Sequence, residues 1–315
     1  MTSAFTFPGQ GSQAVGMGKA LAEAFPAAQA VFDTVDDALG EKLSTVMWEG
    51  PEDALTLTAN AQPALLAVSL AAIAVLDAEG HTIADRASYV AGHSLGEYSA
   101  LAAAGSLSLA DAARLLRLRG TAMQEAVPVG EGAMAAVLGL TLDQARAVAE
   151  AASSAGACDV ANDNAPGQVV LSGDRKAIDR AIELAKEAGS KRAIPLPVSA
   201  PFHCRLMQPA ADRMAEALAE TDIQAPSVPL VCNVLAGPIT DPAEIRDRLV
   251  EQVTGTVRWR ESVEWLAANG VTRVVELGAG KVLTGLARRI DRSLGALSMA
   301  GPDDLEALTT GLAET

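Results

Sequence analysis

The chain has 315 residues, half of them hydrophobic and only 3% aromatic, which suits one large domain, or a domain with an insertion, around small aliphatic side chains and closely packed helices. Lysine and arginine number 24 against 39 aspartates and glutamates, a formal charge of −15, and this argues against general nucleic-acid binding, which needs clustered cations. With no charged leader, apolar core and cleavage site at the start, and no run of about 18 uninterrupted apolar residues, a cytoplasmic protein without a membrane span is expected.

Residues 3–7 read as a strand that runs into Pro8-Gly9-Gln10-Gly11-Ser12-Gln13, followed by a helix over 17–25. The glycine-rich loop fits a loose dinucleotide fingerprint, but that motif needs a second strand and an acidic residue about 20 positions on. Residues 27–39 read as a helix instead, so Asp33, Asp36 and Asp37 stand in the wrong context. Residues 51–57 and 61–76 are further helices, the second apolar almost all round from Ala64, as expected of a core helix.

Residues 85–91 lead into Gly92-His93-Ser94-Leu95-Gly96, and a small-residue helical stretch leaves it over 99–104. Strand, Gly-x-Ser-x-Gly and helix in this order form a nucleophile elbow. The glycines remove side chains that would collide in the turn, and the helix aims its unpaired amides at whatever the serine attacks. The alternative is an ordinary turn. A helix over 109–127 follows, carrying Leu118-Arg119-Gly120; on spacing alone Arg119 reads as a solvated helix-face arginine.

Between 130 and 197 the order is strand 133–140, helix 142–153, strands 157–161 and 168–172, helix 175–188 and strand 192–196. This βαββαβ order is ferredoxin-like. The expected organisation is therefore a large α/β-hydrolase-like domain with a mainly parallel sheet, from 1–129 and 198–315, with a small ferredoxin-like domain inserted at 130–197. A cleft between the two is a natural substrate site. Where the chain re-enters the large domain it reads Val198-Ser199-Ala200-Pro201-Phe202-His203. Histidine is scarce: His81 lies in a polar stretch and His93 adjoins Ser94 in a turn where neighbouring side chains diverge, which leaves His203 as the candidate base for the serine, with a structural histidine as the alternative.

Strand 228–233, helices 242–253 and 260–268, strand 272–277 and helix 282–290 complete the pattern. Glu276-Leu277-Gly278-Ala279-Gly280 is similar to a methyl-donor-binding turn, but only about 35 residues remain for the sheet such a fold requires, so a terminal βα turn is expected. Cys158, Cys204 and Cys232 are widely spaced without a Cys-x-x-Cys pair, and reduced, mostly buried thiols are expected.

Phe7-Pro8-Gly9-Gln10-Gly11-Ser12-Gln13, Gly92-His93-Ser94-Leu95-Gly96-Glu97, Leu118-Arg119-Gly120, Asn162-Asp163-Asn164-Ala165-Pro166-Gly167-Gln168 and Phe202-His203 occur in one order. Together they resemble the malonyl-CoA:acyl carrier protein transacylases over nearly the whole chain. The resemblance implies that Ser94 takes a malonyl group from coenzyme A as an ester and passes it to a phosphopantetheine thiol, with His203 as base in both halves. It implies backbone amides of Gln10 and Leu95 as the oxyanion hole, the backbone carbonyl of Gln252 as the group orienting His203, and Arg119 as a clamp on the malonyl carboxylate. Phe202 is implied to exclude a 2-methyl branch, and Asn162, in an Asn-rich loop at the site mouth, to contact ligand, with Asn164 and Gln168 as loop scaffolding. No metal and no resident cofactor are implied, since coenzyme A thioester and phosphopantetheine are substrates; a monomer is expected.

Two other functions share parts of this pattern. A serine thioesterase would use Ser94 and His203 without Arg119, and a non-catalytic carrier-binding module would need neither. Because carrier proteins of this pathway are generally acidic, a local basic dock is expected on a chain this acidic, at Lys191 and Arg192 near the cleft, and next at Lys281, Arg288 and Arg289.

Overall fold

The computed structural model describes residues 2–313. Its strands are β1 (Ser3–Phe7), β2 (Tyr89–Gly92), β3 (Gly132–Leu138), β4 (Cys158–Ala165), β5 (Gln168–Asp174), β6 (Arg192–Pro195), β7 (Leu230–Cys232), β8 (Gly237–Ile239), β9 (Arg273–Leu277) and β10 (Gly295–Met299). Every residue of β1 and β9 is buried, as expected for strands covered on both faces. The large sheet has the order β10-β9-β1-β2-β7-β8. All its neighbours are parallel except the hairpin of β7 and β8.

Parallel pairing sends the loops after β1, β2, β7 and β9 to one end of the sheet, where α/β folds bind ligands. The register puts Phe7 opposite Gly92, and the His93 amide donates to the Phe7 carbonyl at 3.0 Å. The Pro-Gly-Gln-Gly loop and the elbow therefore emerge side by side.

The helix Thr58–Ala78 is buried almost all round, as its uniform apolarity predicts. It is long and apolar enough to cross a membrane, but here it lies inside the protein, packed on helices Pro26–Leu39 and Leu109–Glu125. Close approach to the second of these depends on Gly120: a Cβ there would lie 2.5 Å from the Thr58 carbonyl oxygen.

The second sheet is antiparallel with order β4-β5-β3-β6. This is the ferredoxin-like order, and helices Leu142–Ala152 and Arg175–Glu187 pack on it around a separate apolar core.

The structure departs from sequence expectation in the Asn-rich segment, which is strand rather than loop. β4 continues through Asn162, Asp163 and Asn164, held by β5 on one side and on the other by Val257, whose amide donates to Ala161 O at 2.9 Å and whose carbonyl accepts from Asp163 N at 3.0 Å. Asn and Asp disfavour strands locally, and pairing on both sides overrides that preference. Strands β8 and β10 and the helices Gln208–Ala219 and Leu305–Ala313 were not anticipated. The three cysteines are free and buried, as expected.

Candidate active site

The elbow is a strained turn. Ser94 has φ +55°, in the left-handed region that a non-glycine residue seldom occupies. A Cβ on Gly92 would lie 1.8 Å from the Gly96 carbonyl oxygen, and one on Gly96 would lie 2.3 Å from that of Phe7, so both glycines are sterically required. Side chains from distant segments pin the serine backbone. Ser94 N donates to Asn233 Oδ1 at 2.8 Å, Asn233 Nδ2 donates to Gly92 O at 2.6 Å, and Gln252 Nε2 donates to Ser94 O at 2.9 Å.

His203, also left-handed at φ +57°, brings Nε2 to 2.6 Å from Ser94 Oγ. Its Nδ1 lies 2.9 Å from the Gln252 backbone carbonyl. A carbonyl only accepts, so Nδ1 carries the proton and Nε2 is the free acceptor for the serine hydroxyl. Burial, and then the charge of Arg119, push the imidazole pKa down to about 3, keeping the ring neutral.

Arg119 is 1% exposed, so the solvated reading drawn from spacing alone is wrong. Helix periodicity marks which face a residue is on, but it does not show that Gln62 and Gln252 wait there with acceptors. Arg119 Nη1 donates to Gln62 Oε1 at 2.8 Å, and Nη2 to Gln252 Oε1 at 2.7 Å and Ser94 Oγ at 3.2 Å. Among the described residues no carboxylate forms an ion pair with it. Burial lowers its pKa, while nearby Tyr98 and Glu97 oppose that shift. A buried guanidinium with only neutral acceptors is costly, and its remaining donor capacity suits an incoming carboxylate.

A cavity of about 530 Å³ reaches these groups and is lined by Gln10, Ser94, Leu95, Arg119, Asn162 and Phe202 among others. The Gln10 and Leu95 amides have no acceptor among the described residues. Such free donors beside a nucleophile suit a developing oxyanion.

The acyl transferase domain family matches residues 4–296. A malonyl CoA-acyl carrier protein transacylase of Bacillus subtilis (strain 168) is 48% identical over 312 residues, spanning 99% of this chain and 97% of that protein. The chain belongs to the malonyl CoA-acyl carrier protein transacylase family. Among solved structures, the acyl-carrier-protein-S-malonyltransferase of Bartonella henselae is 56% identical with a TM-score of 0.97, over 99% of this chain and 100% of that one. A malonyl-transacylase in complex with its type II PKS acyl-carrier protein is 42% identical with a TM-score of 0.95, over the full length of both.

His93 does line the cavity, but its Nε2 pairs with Asn164 Oδ1 at 2.8 Å and its ring leans on Trp259, away from the serine hydroxyl. Lys191 and Arg192 are exposed but stand at the start of β6, whereas the segment after its end, from Leu196 to Val198, lines the cavity. The expectation that they sit near the cleft is corrected to a strand's length from it. Arg192 pairs across to Leu138, Leu138 to Gln168, and Arg289 Nη1 donates to Gln168 Oε1 at 2.5 Å. The two cation clusters treated separately in the sequence thus meet at one end of the small sheet. Lys281 lies apart, beside Asp304 at 3.5 Å.

Gln62, Asn233 and Glu97 are site residues that sequence reasoning missed. Gln62 carried one available signal, an amide in the first turn of the mainly apolar stretch that reads as a helix over 61–76. Glu97 closes the Gly-His-Ser-Leu-Gly-Glu stretch, where nothing local gives it a role.

Proposed function

We propose that this protein transfers a malonyl group from malonyl-CoA to the phosphopantetheine thiol of an acyl carrier protein through an ester on Ser94. The observation that carries this reading is the buried, ion-pair-free Arg119 guanidinium at 3.2 Å from the Ser94 hydroxyl. A plain serine hydrolase has no use for a desolvated cation on its nucleophile, whereas an acyl group ending in a carboxylate does.

The chemistry follows from the hydrogen bonds. His203 Nε2 takes the Ser94 proton as Oγ attacks the thioester carbonyl, and the oxyanion falls to the Gln10 and Leu95 amides. Collapse breaks the carbon–sulfur bond, and the coenzyme A thiolate leaves with the proton from His203. In the second half the carrier thiol gives its proton to His203, attacks the ester, and Ser94 Oγ recovers the proton. The Gln252 carbonyl keeps the imidazole in the tautomer that both halves require. Phe202, at 8% exposure on the cavity wall, limits room beside the acyl α-carbon, and Asn162 supplies a polar contact there.

No resident cofactor enters this scheme. The carrier docks at the cationic end of the small sheet formed by Lys191, Arg192 and Arg289, and the enzyme works in the cytoplasm as a monomer.

Incubation with malonyl-CoA followed by mass measurement tests the reading. One malonyl group should be found on Ser94, stable until a carrier thiol is added, and absent from Ser94→Ala. Rapid release of free malonate without carrier would instead indicate a thioesterase.

A further inference from the structure

Glu97 is fully buried one turn beyond the nucleophile, and the scheme above leaves it idle. Its two carboxylate oxygens both act as acceptors: Oε1 from Asn233 N at 3.1 Å, and Oε2 from Gln252 Nε2. The Gln252 carboxamide is thereby fixed in one of its two orientations. With Nε2 turned to Glu97 and to Ser94 O at 2.9 Å, its Oε1 is left to accept from Arg119 Nη2 at 2.7 Å. The same residue's backbone carbonyl holds His203. Gln252 is thus the junction between clamp and base, and Glu97, together with Ser94 O, decides which way its amide faces.

We propose that Glu97, as the carboxylate, is a positioning residue that orients the Gln252 side chain and through it aims Arg119 at the acyl carboxylate, so that its ionisation sets the preference for a carboxylated acyl group. This rests on the malonyl-transfer reading and adds a control to it. A proton on Oε2 presents a donor to the donor Gln252 Nε2. The carboxamide then shifts off Glu97 or turns over at the cost of its bond to Ser94 O, and either way the acceptor that Arg119 Nη2 relies on is displaced and the clamp loses its support.

The charged and titratable groups around Glu97 are few. They are Arg119 from the facing helix, the Cys232 thiol from β7, and Tyr98 beside it on its own helix. Burial outweighs Arg119 and the hydrogen bonds, lifting the Glu97 pKa to about 7. Loss of the proton therefore falls where the malonyl carboxylate is already ionised and His203 is still neutral.

The test is the ratio of kcat/KM for malonyl-CoA over acetyl-CoA. In Glu97→Gln the backbone amide of Asn233 keeps the new side-chain oxygen, so the new NH2 faces Gln252, and the ratio should fall about 10- to 100-fold. On an Arg119→Ala background the same change should add nothing. An unchanged ratio, or an effect that adds fully to Arg119→Ala, overturns the proposal. The wild-type enzyme decides independently of whether the variant folds: its ratio should drop between about pH 8 and pH 6, and a flat ratio refutes the role. Absence of a malonyl ester on wild-type Ser94 would reject the functional reading itself, which separates the two failures.

Discussion

Replacing Arg119 with alanine removes the only cation, among the described residues, in contact with the nucleophile. In the proposed complex both terminal nitrogens pair with the malonyl carboxylate, and two charge-assisted hydrogen bonds at about 1.5–3 kcal/mol each amount to about 3–6 kcal/mol. Malonyl-CoA kcat/KM should therefore fall about 150- to 25,000-fold, while acetyl-CoA, which has no carboxylate to lose, should change by less than about tenfold. The assay is quenched-flow formation of the Ser94 ester with each donor. Arg119→Met separates clamp from scaffold, because it keeps an unbranched apolar stem in place of the first part of the arginine chain without the charge. Losing the donor to Gln62 Oε1 and Gln252 Oε1 costs about 1–3 kcal/mol apiece, offset by relief of a buried cation that has no ion pair. The Tm of Arg119→Met should stay near the parent value while malonyl preference disappears. Retained preference in either variant would refute the clamp.

Other perturbations test neighbouring parts. His203 has its pKa lowered to about 3, so below its unfolded value near 6.5 the unfolded state binds a proton that the folded state does not, and stability falls as pH drops through that window. The slope of Tm against pH between about 6.5 and 4 should be shallower in His203→Gln; an identical slope would remove the buried neutral histidine from the account. Gly96→Ala drives a methyl onto the Phe7 carbonyl at 2.3 Å and should abolish Ser94 acylation with a stability loss above about 2 kcal/mol by chemical denaturation. Lys191→Glu with Arg192→Glu should raise carrier KM at low salt and leave malonyl-CoA KM unaltered; equal carrier KM would move the dock elsewhere.

What could be read from the chain beforehand was the locally encoded part. The strand before the Pro-Gly-Gln-Gly loop, the elbow and the ferredoxin-like order depend on turn residues and apolar periodicity within short windows, and they stand as expected. Arg119 shows the limit. Its helix has an ordinary amphipathic pattern, and its burial rests on Gln62 and Gln252, 57 and 133 positions away, which no window contains. The strand through Asn162 fails for the same reason, since Val257 holds it from across the molecule. Only the ordered set of motifs, taken as a family resemblance, assigned Arg119, Gln10 and Gln252 roles that their local context withheld.

The buried helix Thr58–Ala78 bears on how such an enzyme changes its donor. At its head Thr58 Oγ1 donates to Gln10 Oε1 at 2.9 Å, Gln62 Nε2 donates to Thr58 Oγ1 at 3.1 Å, and Gln62 Oε1 holds Arg119. Any substitution that empties position 119 of its guanidinium strands two amide oxygens in the interior, those of Gln62 and Gln252. A lineage moving from carboxylated to neutral acyl groups therefore trades the cost of a buried cation for two unmet amide oxygens, and a second change at position 62 or 252 improves that trade. Positions 62, 119 and 252 are epistatic, and a library that varies position 119 alone leaves the two amides without their guanidinium donor in every variant.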